Sequence, residues 1–401
     1  MALIQCINAK KLKTFGDIGT EIVQSQLRGF SKASSVVDVF DRYDVKLSIK
    51  AAERDRRSHF TAKVFQIIEG RSLPDWKKFL SSNENKQALL KFLGSFIVGY
   101  HTKNPNALVN NNELTLAGTF SDPQIVKRIC DQTVKDCVDL YSTHEEADTR
   151  MILHAIYADK QFGSGNLKGR IIVKSPDTDV IVLCVHYFSS MKNTTELWFE
   201  TGTVTSTKDA RRFIPIHELC NSLNSIVSQC LPAVHAISGC DITSAMFGIG
   251  KVLKQVCCDV SDLVNLANCD VEESVSVARK FVAMLYDQKG KFKNLHSDLN
   301  KMRVKLATTK DASLAKLPPC ESTFTQHLLR ASLQTSIWMS SHLPKPPIRS
   351  PLNFGWIDKD GLKPVFFEGQ MSSDFLQDLV CTCKGKSVCS KECVCFEQNL
   401  S

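Results

Sequence analysis

No stretch of the chain is apolar for long enough to cross a bilayer. The longest apolar segments, such as residues 180–188, fall far short of the roughly 20 residues that a spanning helix needs. The first eight residues run into Lys10, Lys11 and Lys13 with no apolar segment behind them, which argues against a secretory leader. An intracellular protein is therefore expected. The sequence has no internal repeat, which sets aside solenoids and propellers, and no clean basic run that would address it to the nucleus.

The composition is that of a folded chain, 43% hydrophobic and 23% charged over 401 residues, enough for one large domain or two ordinary ones. Cysteine is plentiful at 16, yet five of these thiols fall after residue 380 and the rest are scattered through a large apolar chain. A small disulfide scaffold would not look like this. Reduced thiols and one metal site in the tail fit better. A formal charge of +8 and a pI near 8.7 favour an anionic partner.

Residues 36–40, Val-Val-Asp-Val-Phe, read as a strand closed by Asp41, with the cations Lys50, Arg54, Arg56 and Arg57 behind it. Residues 73–100 carry helical periodicity through Trp76, Phe79, Leu89, Leu90, Leu93 and Phe96, and 104–112 form a polar loop. Residues 135–141 read as a strand. Thr143, with Glu146 three residues on, reads as the capped start of a helix whose inner face is Ala147, Met151, Ile152, Ala155 and Ile156. The pattern repeats with a strand at 170–174, a turn at 175–178, a buried helix at 180–188, a strand at 196–200 and a helix at 214–227. Strands alternating with helices predict an α/β fold: a mostly parallel twisted sheet with helices on both faces. Past residue 255 the chain reads as helical and polar, and Pro344, Pro346, Pro347 and Pro351 mark an extended connection.

Ligands collect at the carboxyl ends of strands in such sheets, and that is where the acids sit. Asp41 ends the first strand, Glu146 and Asp148 open the next helix, Asp177 and Asp179 occupy the following turn, and Asp241 follows a short apolar segment. Crowded carboxylates repel one another, and hard divalent cations relieve the repulsion. Two Mg²⁺ or Mn²⁺ ions there would support phosphodiester hydrolysis. Singly, each acid also fits a helix cap or a turn.

The runs Val39-Phe40-Asp41, Glu146-Ala147-Asp148, Asp177-Thr178-Asp179 and Gly239-Cys240-Asp241, with Gly248-Ile249-Gly250-Lys251 behind them, resemble in order the flap-endonuclease branch of the PIN-like nucleases. The resemblance spans residues 1–255. It implies a structure-selective nuclease with Asp41, Glu146, Asp148, Asp177, Asp179 and Asp241 as metal ligands, and Lys50 and Arg54 on the scissile phosphate. It also implies that Arg56, Arg57, Gly248, Gly250 and Lys251 lie along a nucleic-acid backbone, DNA before RNA. The runs at 144–150, 175–180 and 238–241 further resemble uncharacterised animal proteins of the kind that descend from mobile elements. The family's earliest acid lies on an N-terminal strand, whereas Met1-Ala2-Leu3-Ile4-Gln5 matches residues just after it. That strand and its carboxylate are therefore expected to be missing. The alternative that follows is a nucleic-acid-binding relic without hydrolysis; a third reading is an interaction scaffold.

Cys381, Cys383, Cys389, Cys393 and Cys395, interleaved with Lys384, Lys386 and Lys391, have the spacing of soft zinc ligands. They resemble half of a tesmin-type CXC module, which binds zinc and DNA. A nuclear location is inferred from that presumed partner. The expected plan is a PIN-like domain at 1–255, a helical extension at 256–345, an extended linker at 346–380 and the Cys-rich segment at 381–401.

Overall fold

Thr14 starts the first helix, α1 (Phe15–Gly29), through a reciprocal cap: its hydroxyl accepts from the Asp17 N–H at 3.2 Å, and the Asp17 carboxylate accepts from the Thr14 N–H at 2.9 Å. In this computed structural model the residues described are 4, 7–45, 47–51, 53–54, 63–131, 133–202, 209–246, 261–268, 271–308, 316–347 and 349–368. β1 (Ser35–Val39) follows, its three valines suited to a pleated surface. The expected helix at 73–100 is a single turn, Trp76–Phe79, and then α2 (Asn83–Lys103), interrupted where the Ser82 hydroxyl caps the second piece. Phe15, Ile18, Phe40, Phe79, Leu93, Leu114 and their neighbours form one apolar cluster between α1, α2 and the strands.

β1 pairs in parallel with β2 (Glu113–Ala117), which continues antiparallel into β3 (Val126–Cys130) and β4 (Thr133–Asp136). A second sheet pairs β5 (Gly169–Lys174) in parallel with β6 (Thr194–Thr201), and β6 antiparallel with β7 (Arg212–Pro215). The α/β class holds, but the expected mostly parallel sheet does not: among the described residues there are two mixed sheets of this kind. The reason lies in the connections. The links from β2 to β4 carry no crossover helix, and such links can join only antiparallel neighbours. β1 and β5 are terminal strands of their respective sheets, and α3 (Ala147–Ser164) packs against both.

Two further local expectations need correction. The strand expected at 135–141 ends at Asp136 and gives way to a 3₁₀ turn, Val138–Leu140. The single helix at 214–227 is two, α5 (Ile216–Ser222) and α6 (Ser225–Ser238), because Asn224 caps a new start through its side chain. α4 (Thr178–Phe188) is rich in β-branched residues, yet it is helical and buried as expected.

The second core contains Val180, Leu183, Phe199, Val234 and Ile237 together with Phe281, Met302, Phe324, Leu328 and Trp338. These last residues come from α7 (Val271–Tyr286), α8 (Leu299–Ala307) and α9 (Glu321–Met339). The stretch read as an extended linker contains a hairpin, β8 (Trp356–Asp358) with β9 (Leu362–Pro364). Its Trp356 and Leu362 bury Ile49, Ile242 and Leu333, which fixes the chain next to Lys50 and next to Asp241. No helix among the described residues is long and apolar enough to cross a membrane.

Candidate metal centre

Two helices begin at the same place. Asp177 is the N-cap of α4, and Asp179 is the second residue of that helix; Asp148 is the second residue of α3. The Ser175 hydroxyl accepts from the Asp177 N–H at 3.1 Å, and Asp177 Oδ1 accepts from the Asp179 N–H at 3.0 Å, which together form the tight turn after β5. Helix N-termini carry partial positive charge that favours carboxylates. Asp148, Asp177 and Asp179 each offer an oxygen, and the three lie within 4.8 Å of one another. Capping engages Asp177 through one oxygen, so the capping and ligand roles are compatible.

The crowding is unfavourable without a cation. Burial raises the Asp148 carboxyl well above its ordinary range, and the charges of Glu146, Asp177 and Asp41 push it the same way. Asp177 is raised by burial and by Asp179. Asp179 is buried and meets the Nε2 of buried His235, on α6, at 2.7 Å. The Trp338 ring lies 5.5 Å from that imidazole. Sequence reasoning missed His235, since a lone histidine in the apolar run 233–237 reads as a core residue.

Beside this trio, Lys50 Nζ sits 2.8 Å from Glu146 and 3.0 Å from Asp241. Burial pushes the Glu146 carboxyl up to about 7, against the pull of Lys50 and aided by Glu145 and Asp179; its Oε2 is buried without a hydrogen-bond partner. The Lys50 ammonium is held well above its ordinary value by Glu146 and Asp241 despite burial. Asp241 is presented by Gly239, which ends α6 at φ +120°; a Cβ there would stand 2.6 Å from the Ala245 Cα. Arg54 pairs with Glu145 at 2.8 Å and stacks over Tyr43.

The start of α3 differs from expectation. Glu146, not Thr143, is the N-cap residue, and its side chain makes no cap bond. Asp41 serves instead from a distant segment: its Oδ1 accepts from the Ala147 N–H at 2.9 Å and its Oδ2 from the Tyr43 hydroxyl at 3.1 Å. Burial raises Asp41, but nearby positive charge and these two bonds bring it down to about 2. Arg150 was also missed. Its buried guanidinium donates to the carbonyls of Pro123 at 2.7 Å and Ser142 at 3.1 Å, and lies 3.5 Å from the Phe40 carbonyl, tying the segment before Asp41 to α3.

The six acids read from the sequence thus fall into one neighbourhood in three parts: Asp148, Asp177 and Asp179 together, Glu146 and Asp241 on Lys50, and Asp41 on the α3 terminus. Arg56, Arg57, Gly248, Gly250, Lys251 and the thiols Cys381, Cys383, Cys389, Cys393 and Cys395 lie outside the described residues. His144, held down to about 4 by burial, bonds the Leu343 carbonyl, and His154 is buried and held down to about 3. Both are core residues. No family model, curated protein or solved structure matches the chain. Three carboxylates could hold a metal ion, and an all-oxygen donor set selects hard cations such as Mg²⁺ or Mn²⁺ over soft ones.

Proposed function

We propose that the chain is a nuclease that hydrolyses nucleic-acid phosphodiesters with Mg²⁺ or Mn²⁺ held by Asp148, Asp177 and Asp179. The observation that carries this reading is the convergence of three carboxylates within 4.8 Å at the N-termini of two helices. Two of them are pushed up by burial and mutual repulsion, a state that a bound cation relieves. When bound, such an ion lowers the pKa of water and neutralises charge on a phosphoryl oxygen. The residues of the chain do the rest. His235 orients Asp179, the turn from Ser175 to Asp179 fixes the spacing of two ligands, and Lys50 supplies positive charge beside them.

The choice of nucleic acid as substrate, DNA ahead of RNA, rests on the flap-endonuclease resemblance of the four acidic motifs and on the +8 charge. In the same reading Cys381, Cys383, Cys389, Cys393 and Cys395 hold a zinc ion. The test is cleavage of labelled flap, hairpin and single-stranded DNA and of RNA by the purified chain. Cleavage that requires Mn²⁺ or Mg²⁺ and disappears in Asp179→Asn is the expected result. A chain that binds Mn²⁺ at these acids yet leaves all four substrates intact would overturn the hydrolase reading.

A further inference from the structure

The metal reading leaves open how many ions the site takes, and five carboxylates, Glu146, Asp148, Asp177, Asp179 and Asp241, at first suggest two. The geometry around Lys50 points elsewhere. Its Nζ lies between Glu146 and Asp241, 2.8 and 3.0 Å away, with the lysine side chain only 8% exposed. An ammonium touching one oxygen from each of two acids already supplies, between them, positive charge that a second cation would otherwise bring.

The segment that delivers it is clamped at several points. The Lys50 N–H donates to the Ser48 hydroxyl at 3.1 Å, and that hydroxyl donates to Glu145 Oε1 at 2.5 Å. The Arg54 N–H donates to the Lys50 carbonyl at 2.9 Å, and the Arg54 guanidinium pairs with Glu145 at 2.8 Å. On either side of the ion pair, Ile49 and Ile242 are buried together with Leu333, Trp356 and Leu362. The chain neighbours of Lys50 and of Asp241 are therefore packed into one apolar cluster. Withdrawing the ammonium would take the ion pair from Glu146, whose other oxygen is already buried without a hydrogen-bond partner, and strand a buried cation, a cost that a second ion must exceed before it can enter.

We infer that Lys50 is the built-in second cation of this site, so that the chain takes one divalent ion, at Asp148, Asp177 and Asp179, and not a pair. The inference rests on the metal reading above and narrows it. With Lys50 in place Glu146 and Asp241 keep one uncompensated unit of charge between them, and one divalent ion leaves one unit on the remaining trio, beside two helix N-termini that favour negative charge.

The experiment is a calorimetric Mn²⁺ titration of the full wild-type chain, Lys50→Arg and Lys50→Met, with melting curves to confirm folding, and electron paramagnetic resonance of the Mn²⁺-saturated samples. One ion per chain is expected in wild type and Lys50→Arg, with an isolated-ion signal. Two ions and a spin-coupled signal are expected in Lys50→Met. Should Lys50→Met fail to fold, the wild-type spectrum decides: an isolated-ion signal at saturation upholds the assignment and a coupled pair overturns it. A folded Lys50→Met that still binds one ion also overturns it. Two ions in wild type defeat the Lys50 assignment alone; no ion in any variant defeats the metal reading and this assignment with it.

Discussion

Substituting Asp41 separates a carboxylate that builds the site from one that holds metal. The folded chain brings its pKa from 3.8 down to about 2, so ionised Asp41 stabilises the fold by roughly 2 kcal/mol. That margin is present above pH 3.8 and is lost as the pH falls through about 2, so it stands in full at pH 7. Asp41→Asn keeps an oxygen for the Ala147 N–H but removes the charge, and should lose about 2 kcal/mol in urea denaturation at pH 7. Asp41→Ala also leaves a helix N-terminal N–H unpaired and should lose about 1 kcal/mol more. Mn²⁺ affinity should respond differently. Asp41 supports α3 without joining the trio, so Asp41→Asn should weaken binding by no more than about fivefold, while Asp179→Asn should weaken it by ~100-fold, at or beyond the range for outer-shell losses. If Asp41→Asn removes Mn²⁺ binding as thoroughly as Asp179→Asn, Asp41 is a ligand and the division of the acids drawn above is wrong.

Mn²⁺ affinity should rise with pH between 5 and 8, because Glu146 is raised from 4.5 to about 7 and Asp148 is raised as well, so binding must displace protons; the limit is about tenfold per pH unit for each proton released. Without metal the same Glu146 shift favours the fold below pH 4.5 and that contribution is lost as the pH rises through about 7, so the melting-point gain on adding Mn²⁺ should also grow with pH; a gain that is flat across this range contradicts the electrostatics. His235→Leu removes the 2.7 Å partner of Asp179 and should weaken Mn²⁺ by ten- to a hundredfold, whereas His235→Gln, which restores a donor at a similar reach, should recover most of it. Equal affinities in the two variants would reduce His235 to a packing residue.

Asp177 and Asp179 were legible at the end of their strand because the chemistry sits in a short local run: Asp177-Thr178-Asp179 forms its turn from its own backbone and Ser175. Strand β5 and helix α4 were legible for the same reason, a periodic apolar run next to a turn. The pairings that complete the site were not. His235 is 56 residues from Asp179, Lys50 is 191 from Asp241, and Asp41 is 106 from the Ala147 N–H it accepts from. Only the folded chain brings such groups together. The false cap at Thr143 shows the same limit from the other side, since the local motif was present but a distant carboxylate took its place. Sheet direction failed because β2 and β3 are five-residue strands, too short for their periodicity to stand out beside the polar loop at 104–112.

The central claim is that Asp148, Asp177 and Asp179 form a divalent-cation site, and its most direct test is calorimetric titration of Mn²⁺ into the wild-type chain and into the Asp177→Ala/Asp179→Ala double variant. Binding in the wild type that disappears in a double variant shown by its melting curve to be folded is the expected result. No heat of binding in the wild type, or undiminished binding in the folded double variant, would contradict the claim.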